Sequence, residues 1–329
     1  MKPISVYRPA TIEEATAILA RHGGEAAVYA GGTDLLVRLK NRLKQAPSYL
    51  VDIKTIDNLR YIREDAEGGA RIGALTKLSD LAESDLLAKK YPMLVKAVGM
   101  ISSPELRNAS TIGGDLLQEV WCQYLRGGYS CWRNGGYLCY GAIGDNSYYH
   151  SAMGGRLCYA VYPGDAATAL IPLDARVNLA TASGSKTLTV EQLVPGDMMV
   201  DGRIQSHVVR SSEILTEVIL PPQRPNARMS FEKLRPRGVW DFAMASLALS
   251  LQVRGGTIED VRVVFGGIAG RPYREMSVEG LLKGKTLTAS LAADVLPQAL
   301  TNAAPLKYNA MKIEMAKGLL ASGLDKLSA

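Results

Sequence analysis

Behind Thr11-Ile12-Glu13-Glu14, a string with capping-box spacing, apolar side chains return at Ala15, Ile18 and Leu19 before Gly23-Gly24 stops the run. The pattern predicts a helix of about three turns. Residues 26–30 then read as a buried strand, Gly31-Gly32-Thr33-Asp34 as a turn and residues 35–43 as a second helix, so strand, glycine turn and helix follow in order. Residues 49–53 and 70–75 predict further strands, and residues 76–100 a mainly helical stretch broken at Pro92. Regular alternation resumes after Asp165: residues 177–181 and 187–190 flank Ser183-Gly184-Ser185 as a hairpin, and residues 213–220 form another strand. Pro221-Pro222-Gln223-Arg224-Pro225 interrupts the pattern and marks a domain boundary. Beyond it, strands near residues 229–234, 245–253 and 261–266 precede helices from about residue 277, an α+β lobe.

Residues 121–163 follow neither period. They hold eight of the 15 tyrosines and two of the three tryptophans with many glycines, so something other than a hydrophobic core should order them. All four cysteines, Cys122, Cys131, Cys139 and Cys158, fall in this window, which begins just after the paired glycines Gly113-Gly114.

At 329 residues the chain is long enough for about two or three compact domains. No apolar run approaches the roughly 20 residues of a bilayer span. The segment Met1-Lys2-Pro3-Ile4-Ser5-Val6-Tyr7 has no apolar core behind its Lys, so it does not read as a secretory signal and a cytoplasmic protein is expected. The net charge of +6 is dispersed, and the densest run, Arg38, Lys40, Arg42 and Lys44, is placed on the solvated side of the helix beginning near Thr33. No aromatic-plus-basic stripe points to nucleic acid.

Gly31-Gly32-Thr33-Asp34-Leu35-Leu36 and Gly113-Gly114-Asp115-Leu116-Leu117 echo each other. Each could be a plain turn; together they could clamp one diphosphate. Glycines admit phosphate oxygens close to backbone N–H groups, Thr33 and Thr111 add hydroxyl donors, and a helix N-terminus after the loop favours an anion. Asp34 and Asp115 suit backbone N–H groups or a sugar hydroxyl better than phosphate. Neither loop matches the dinucleotide or nucleoside-triphosphate patterns. The cysteine spacing, with eight, seven and eighteen intervening residues, has no short knuckle, which makes zinc the runner-up. Two disulfides stay open but fit a reducing compartment poorly. Four thiolates suit a four-iron four-sulfur cluster, whose negative charge Arg126, Arg133 and Arg156 could offset.

Val28-Tyr29-Ala30-Gly31-Gly32-Thr33-Asp34-Leu35-Leu36, Ile72-Gly73-Ala74-Leu75-Thr76, Leu106-Arg107-Asn108-Ala109-Ser110-Thr111-Ile112-Gly113-Gly114, Tyr162-Pro163-Gly164-Asp165, Phe231-Glu232-Lys233 and Gly266-Gly267-Ile268-Ala269 together resemble the FAD-binding medium subunit of the molybdenum hydroxylase and xanthine dehydrogenase family. The window after Gly114 resembles the insertion that carries a [4Fe-4S] cluster in a subset including 4-hydroxybenzoyl-CoA reductase and bacterial aldehyde oxidoreductases. The resemblance implies an α+β fold. A two-lobed FAD-binding domain of the vanillyl-alcohol-oxidase-like (PCMH) type would cover residues 1–222, with lobes of about 1–56 and 57–222 and an insertion of about 119–162. A C-terminal α+β domain typical of carbon monoxide dehydrogenase flavoproteins would cover 223–329.

The resemblance also implies a set of sites. Tyr29, Ala30, Gly31, Gly32, Thr33, Asp34, Leu35 and Leu36, with Ser110, Thr111, Gly114, Asp115, Leu117 and Gln118, would hold the diphosphate and ribityl chain of noncovalent FAD. Ile101, Ser102, Leu106 and Leu215 would line the cleft. Asp165 would accept from an FAD hydroxyl, and Lys233 would tune the flavin. Asp115 stands where the family commonly has Asn. Cys122, Cys131, Cys139 and Cys158 would ligate the cluster.

The function so implied is electron transfer between the [2Fe-2S] clusters of a small subunit and an external acceptor or donor, in a heterotrimer or its dimer. A molybdopterin-binding large subunit would carry substrate chemistry, and ferredoxin or NAD would be the redox partner. No catalytic residue is assigned to this chain, and a signal-bearing partner could export the complex. With only His22, His150 and His207, none beside a glycine loop, a histidyl-linked flavin and a Ser/His/Asp hydrolase are disfavoured. The competing readings are a non-catalytic zinc- or cluster-stabilised assembly module and a stand-alone flavin oxidase.

Overall fold

In the computed structural model, which describes residues 3–43 and 46–328, Thr11 caps the first helix (Ile12–His22) by accepting from Glu14 N, and Gly23 ends it at φ 52°. Lys2 and Lys44 lie outside the described residues. The helix packs Ala15, Ile18 and Leu19 against a parallel sheet of β1 (Ser5–Tyr7), β2 (Ala26–Tyr29) and β3 (Tyr49–Asp52), in the order β1-β3-β2. Strand β2 is only partly buried, because its C-terminal end opens onto a cleft. The helix after the first glycine loop, Leu35–Lys40, is shorter than its apolar pattern predicts; Arg42 at φ 54° turns the chain out of it.

A second sheet is antiparallel. It comprises β4 (Ile62–Glu64), β5 (Ala70–Gly73), β6 (Arg176–Thr181), β7 (Gly184–Thr189) and β10 (Ile214–Leu220), ordered β4-β5-β10-β6-β7, with a small hairpin of β8 (Met198–Val200) and β9 (Arg203–Gln205) between β7 and β10 in the chain. The helical stretch before the second glycine loop divides into Leu78–Ala82, Asp85–Lys90 and Pro92–Gly99, each restarted by local chemistry: Ser84 caps the second and Pro92 opens the third. A helix that the pattern did not announce, Asp165–Leu170, is buried at every position and lies at the centre of the main core.

Beyond the proline-rich boundary, β11 (Ala227–Leu234), β12 (Ala245–Arg254), β13 (Thr257–Gly266) and β14 (Tyr273–Arg274) form an antiparallel meander. Its two faces bury different partners. Phe231, Ala248 and Val264 join the core around Asp165–Leu170, while Leu247, Leu249 and Leu251 point the other way onto the last helix, Met311–Ser328. Strand β12 is buried along most of its length because both of its faces are covered.

Residues 121–163 contain only single turns of helix, Gln123–Arg126, Trp132–Asn134 and Tyr140–Ile143. A small apolar cluster of Val120, Cys122, Leu125, Cys131 and Ala160 sits among them, and Tyr129 meets Tyr124 and Tyr140 edge to face. The segment leans on the C-terminal region: Ala152 N donates to Ile268 O, Tyr162 N to Ala269 O, and Asn309 Nδ2 to His150 O and Ser151 O. Among the described residues no helix is long and apolar enough to cross a membrane.

Candidate functional site: a glycine-loop cleft beside a cysteine pocket

The two glycine loops touch. Thr33 and Ser110 share a hydrogen bond of 2.9 Å, and Gly31 approaches so closely that a Cβ there would lie 2.1 Å from Ala109 O. Between the loops runs a cleft of about 160 Å³ lined by Ala30, Gly31, Gly32, Thr33, Asp34 and Leu35 on one side and Thr111, Gly113, Gly114, Leu117 and Leu215 on the other. A second cavity, about 210 Å³, shares Val28, Arg38, Leu117 and Glu213 with it, continues past Gln118 and Glu119, and reaches His207, which burial pushes down to about 4. A larger cavity of about 840 Å³, bounded by residues such as Asp174, Arg176 and Arg224, touches neither glycine loop and gathers no redox chemistry.

The anion-binding means differ from the sequence expectation. The helix after the first loop has six residues, and Gly113-Gly114 lie not in a loop before a helix but inside the five-residue helix Ile112–Leu116 capped by Thr111, so the helix dipoles contribute little. Arg38, expected on the solvated face, instead lines both cavities, whereas Lys40 and Arg42 are exposed. Its buried Nε lies 3.4 Å from Asp34 Oδ2 without hydrogen-bond geometry, which leaves that donor for an anionic group in the cleft. The position was not legible because a helix of one and a half turns has no settled outer face. Thr111 Oγ1 accepts from Gly114 N at 3.1 Å, so its own proton remains for a further acceptor. Asp34 Oδ2 accepts from Glu119 N at 3.2 Å, and burial pushes its pKa up.

The remaining predicted residues do not line the cleft, and of them Gln118 lines the second cavity. Tyr29 and Leu36 pack with Leu35 and Leu39 beneath the first loop. Asp115 is buried, and Gln118 Nε2 donates to its Oδ1 at 2.8 Å while Oδ2 has no partner. Burial and the nearby Asp165 raise Asp115 to about 7. Asp165 and Lys233, 68 residues apart, form a buried ion pair of 2.5 Å, and Lys233 Nζ also donates to Met100 O at 3.2 Å. Lys233 is therefore not a surface lysine, and its charge is matched by Asp165. Ile101 and Ser102 follow directly, Ser102 at φ 51° accepting at its carbonyl from Trp240 N. Leu106 sits in the one-turn helix Pro104–Arg107.

All four cysteines, brought from three short helical turns and the loop at Cys158, line one small cavity with Arg133, Tyr124 and Trp132. None is in a disulfide. Arg133 Nε donates to Cys158 Sγ at 3.3 Å, as does Ala160 N at 3.4 Å. A hydrogen bond with Cys158 lowers the Cys139 thiol and the same bond raises that of Cys158, while burial raises Cys122. Among the described residues no three His, Cys, Asp or Glu side chains converge on a single ion. The four sulfurs line the pocket that the sequence reading assigns to a cluster, with Cys139 and Cys158 within hydrogen-bond reach of each other. Of the arginines expected to offset its charge, Arg133 is at the cavity; Arg126 instead stacks on Trp121, 3.1 Å from the ring centroid, and Arg156 is exposed.

Sequence reasoning missed His150. It is fully buried, with Nε2 3.5 Å from Cys122 Sγ, and burial and Lys312 push its pKa down to about 4. Lys312, itself buried and lowered by burial to about 7, donates to Tyr148 O and His150 O. No local pattern marks these residues, because Cys122, His150 and Lys312 meet only across long sequence separations.

Residues 2–223 match the family described as the FAD binding domain in molybdopterin dehydrogenase, and residues 230–326 match the CO dehydrogenase flavoprotein C-terminal domain. The chain is 31% identical over 335 residues to the aldehyde oxidoreductase FAD-binding subunit PaoB of Escherichia coli (strain K12), covering 100% of this chain and 99% of that one. It is 27% identical over 282 residues to the carbon monoxide dehydrogenase medium chain of Hydrogenophaga pseudoflava, covering 86% and 80%. The structure of reconstituted CO dehydrogenase from Oligotropha carboxidovorans has the same fold, with a TM-score of 0.78 at 23% identity over 100% of this chain and 99% of that chain. With the glycine-loop cleft, the α+β architecture and these likenesses in agreement, the chain belongs to the FAD-binding subunits of the molybdenum hydroxylase family, oxidoreductases of carbon monoxide dehydrogenase type.

Proposed function

We propose that this chain is the electron-transfer subunit of a molybdenum hydroxylase complex, holding noncovalent FAD in the glycine-loop cleft and one [4Fe-4S] cluster on Cys122, Cys131, Cys139 and Cys158. The observation that carries the reading is the shared cavity of the four free cysteines, joined by one run of hydrogen bonds to the first glycine loop. Bound FAD would supply a carrier that handles electrons singly or in pairs, and the cluster a carrier of single electrons.

The chain's own residues supply binding and electrostatics. Gly31 and Gly32 would let a diphosphate approach the first loop and Arg38 would give it a cation, whereas the N–H groups of Gly113 and Gly114 are already donated to Ala74 O and Thr111 Oγ1. Leu117 and Leu215 supply apolar walls in the cleft, and Ile101 and Ser102 follow Met100, whose carbonyl accepts from Lys233. That pair presents a dipole rather than a free cation to whatever lies near Met100, so it orients more than it charges. Substrate chemistry would belong to a molybdopterin-binding large subunit, with a small subunit carrying two [2Fe-2S] clusters in a heterotrimer. PaoB, by name the FAD-binding subunit of an aldehyde oxidoreductase, and the medium chain of CO dehydrogenase are each one chain of a multi-chain enzyme, which supports this placement.

Purification with associated subunits tests it. The expected complex shows flavin absorption with a broad iron–sulfur shoulder and contains molybdenum. A colourless zinc protein would instead support the assembly-module reading, and flavin reduction by substrate with this chain alone would support a stand-alone oxidase.

A further inference from the structure

Arg133 is where the cysteine pocket and the glycine-loop cleft meet. The residue is 3% exposed, and its guanidinium makes five hydrogen bonds. Nε donates to Cys158 Sγ at 3.3 Å; one terminal nitrogen donates to Glu119 Oε1 at 2.6 Å and Ile204 O at 3.3 Å; the other donates to Asp197 Oδ1 and to Ser206 Oγ at 3.0 Å. Every N–H of the fork is used, which no lysine could reproduce. A guanidinium keeps its charge, and here Glu119 and Asp197 pair with it. From Glu119 the path continues, since its backbone N–H donates to Asp34 Oδ2 at 3.2 Å and Asp34 lines the cleft. One buried cation thus faces a cysteine sulfur on one side and, on another, a carboxylate whose backbone is tied to the first glycine loop.

We infer that Arg133 is a positioning residue for electron exchange between the two sites, fixing the Cys158 sulfur and Glu119 on one planar fork and, with Glu119, setting the electrostatic potential at the cysteine pocket. The inference rests on reading the four cysteines as cluster ligands. Hydrogen bonds to sulfur and nearby net charge set the reduction potential of an iron–sulfur cluster. Replacing Arg133 by Lys removes the Nε–H···Sγ bond while keeping a cation that can still neutralise the carboxylates. Replacing Glu119 by Gln keeps size and an acceptor oxygen but removes a negative charge from the guanidinium.

The test is a redox titration of the purified complex followed by electron paramagnetic resonance, with iron and FAD counted. At one applied potential, the oxidised-to-reduced ratio of the cluster should rise about tenfold in R133K and fall about tenfold in E119Q, shifts of about 59 mV in opposite directions for a one-electron couple. Iron and FAD should stay at wild-type levels. A purely structural role for Arg133 does not predict opposite signs. Unchanged ratios, shifts of the same sign, or loss of the cluster in either variant would overturn the inference. A wild-type complex whose iron is fully accounted for by partner subunits fails the cluster reading itself, which is a different result.

Discussion

Asp115 holds a proton that an ordinary carboxyl would have released, because it is buried beside Asp165 with one oxygen unpartnered. Its folded-state pKa, raised from 3.8 to about 7, means that the native chain binds a proton the unfolded chain gives up. The stability this contributes is complete below the unfolded value and is lost as pH rises through the folded one. In flavin-free protein, urea midpoints should therefore fall for wild type between about pH 4 and pH 7, while Asp115→Asn removes most of that fall, a difference on the order of a few kcal/mol. Identical pH profiles for both proteins would show that Asp115 is not the group responsible. Gly31 makes a steric prediction of a different kind. A Cβ would press on Ala109 O and separate the two loops, so Gly31→Ala should lose most bound flavin and about 1–3 kcal/mol of stability. Gly99, where an added Cβ meets nothing within 4 Å, provides the control: Gly99→Ala should keep its flavin.

Single side chains also decide how the elements are held to one another. Lys233, on strand β11, reaches Asp165 at the start of the central helix and Met100 O at the end of another. Truncating it to Met leaves a buried carboxylate without its partner, a loss of about 3–5 kcal/mol, and adding Asp165→Asn should restore part of it. Chemical denaturation of the two single variants and the double variant measures this; equal and additive losses would mean that the pair is not coupled. What could be read from sequence at this scale follows the range of the interactions. The helix at Ile12–His22 was legible because its cap, its apolar face and its glycine stop all lie within a dozen residues. The hairpin around Ser183-Gly184-Ser185 was legible for the same reason, although its second strand starts earlier, at Gly184. The helix Asp165–Leu170 was not, since burial on all sides removes the periodic contrast that identifies a helix. Nor were the Lys233–Asp165 pair, the cleft-facing side of Arg38 or the His150–Cys122 contact, each of which depends on tertiary placement.

At the scale of the whole molecule, the glycine-loop cleft and the cysteine pocket are neighbours by construction. The chain passes from Gly114 to Cys122 through Glu119, and Glu119 is bonded to both Asp34 and Arg133. The C-terminal region completes the pocket from outside, with Asn309 and Lys312 holding the carbonyl of His150 while its ring meets Cys122. The glycine motifs and the cysteine window could be located in the sequence, but their connection could not, because Arg133 joins partners up to 73 residues away. Whether the four cysteines bind one cluster decides the proposed electron-transfer role. Iron and FAD counted per copy of this chain, in the wild-type complex and in a Cys139→Ser variant, test that claim most directly. The prediction is a loss of about four irons per chain in the variant with FAD largely retained; iron content unchanged by the substitution, or zinc in place of the lost iron, would contradict it.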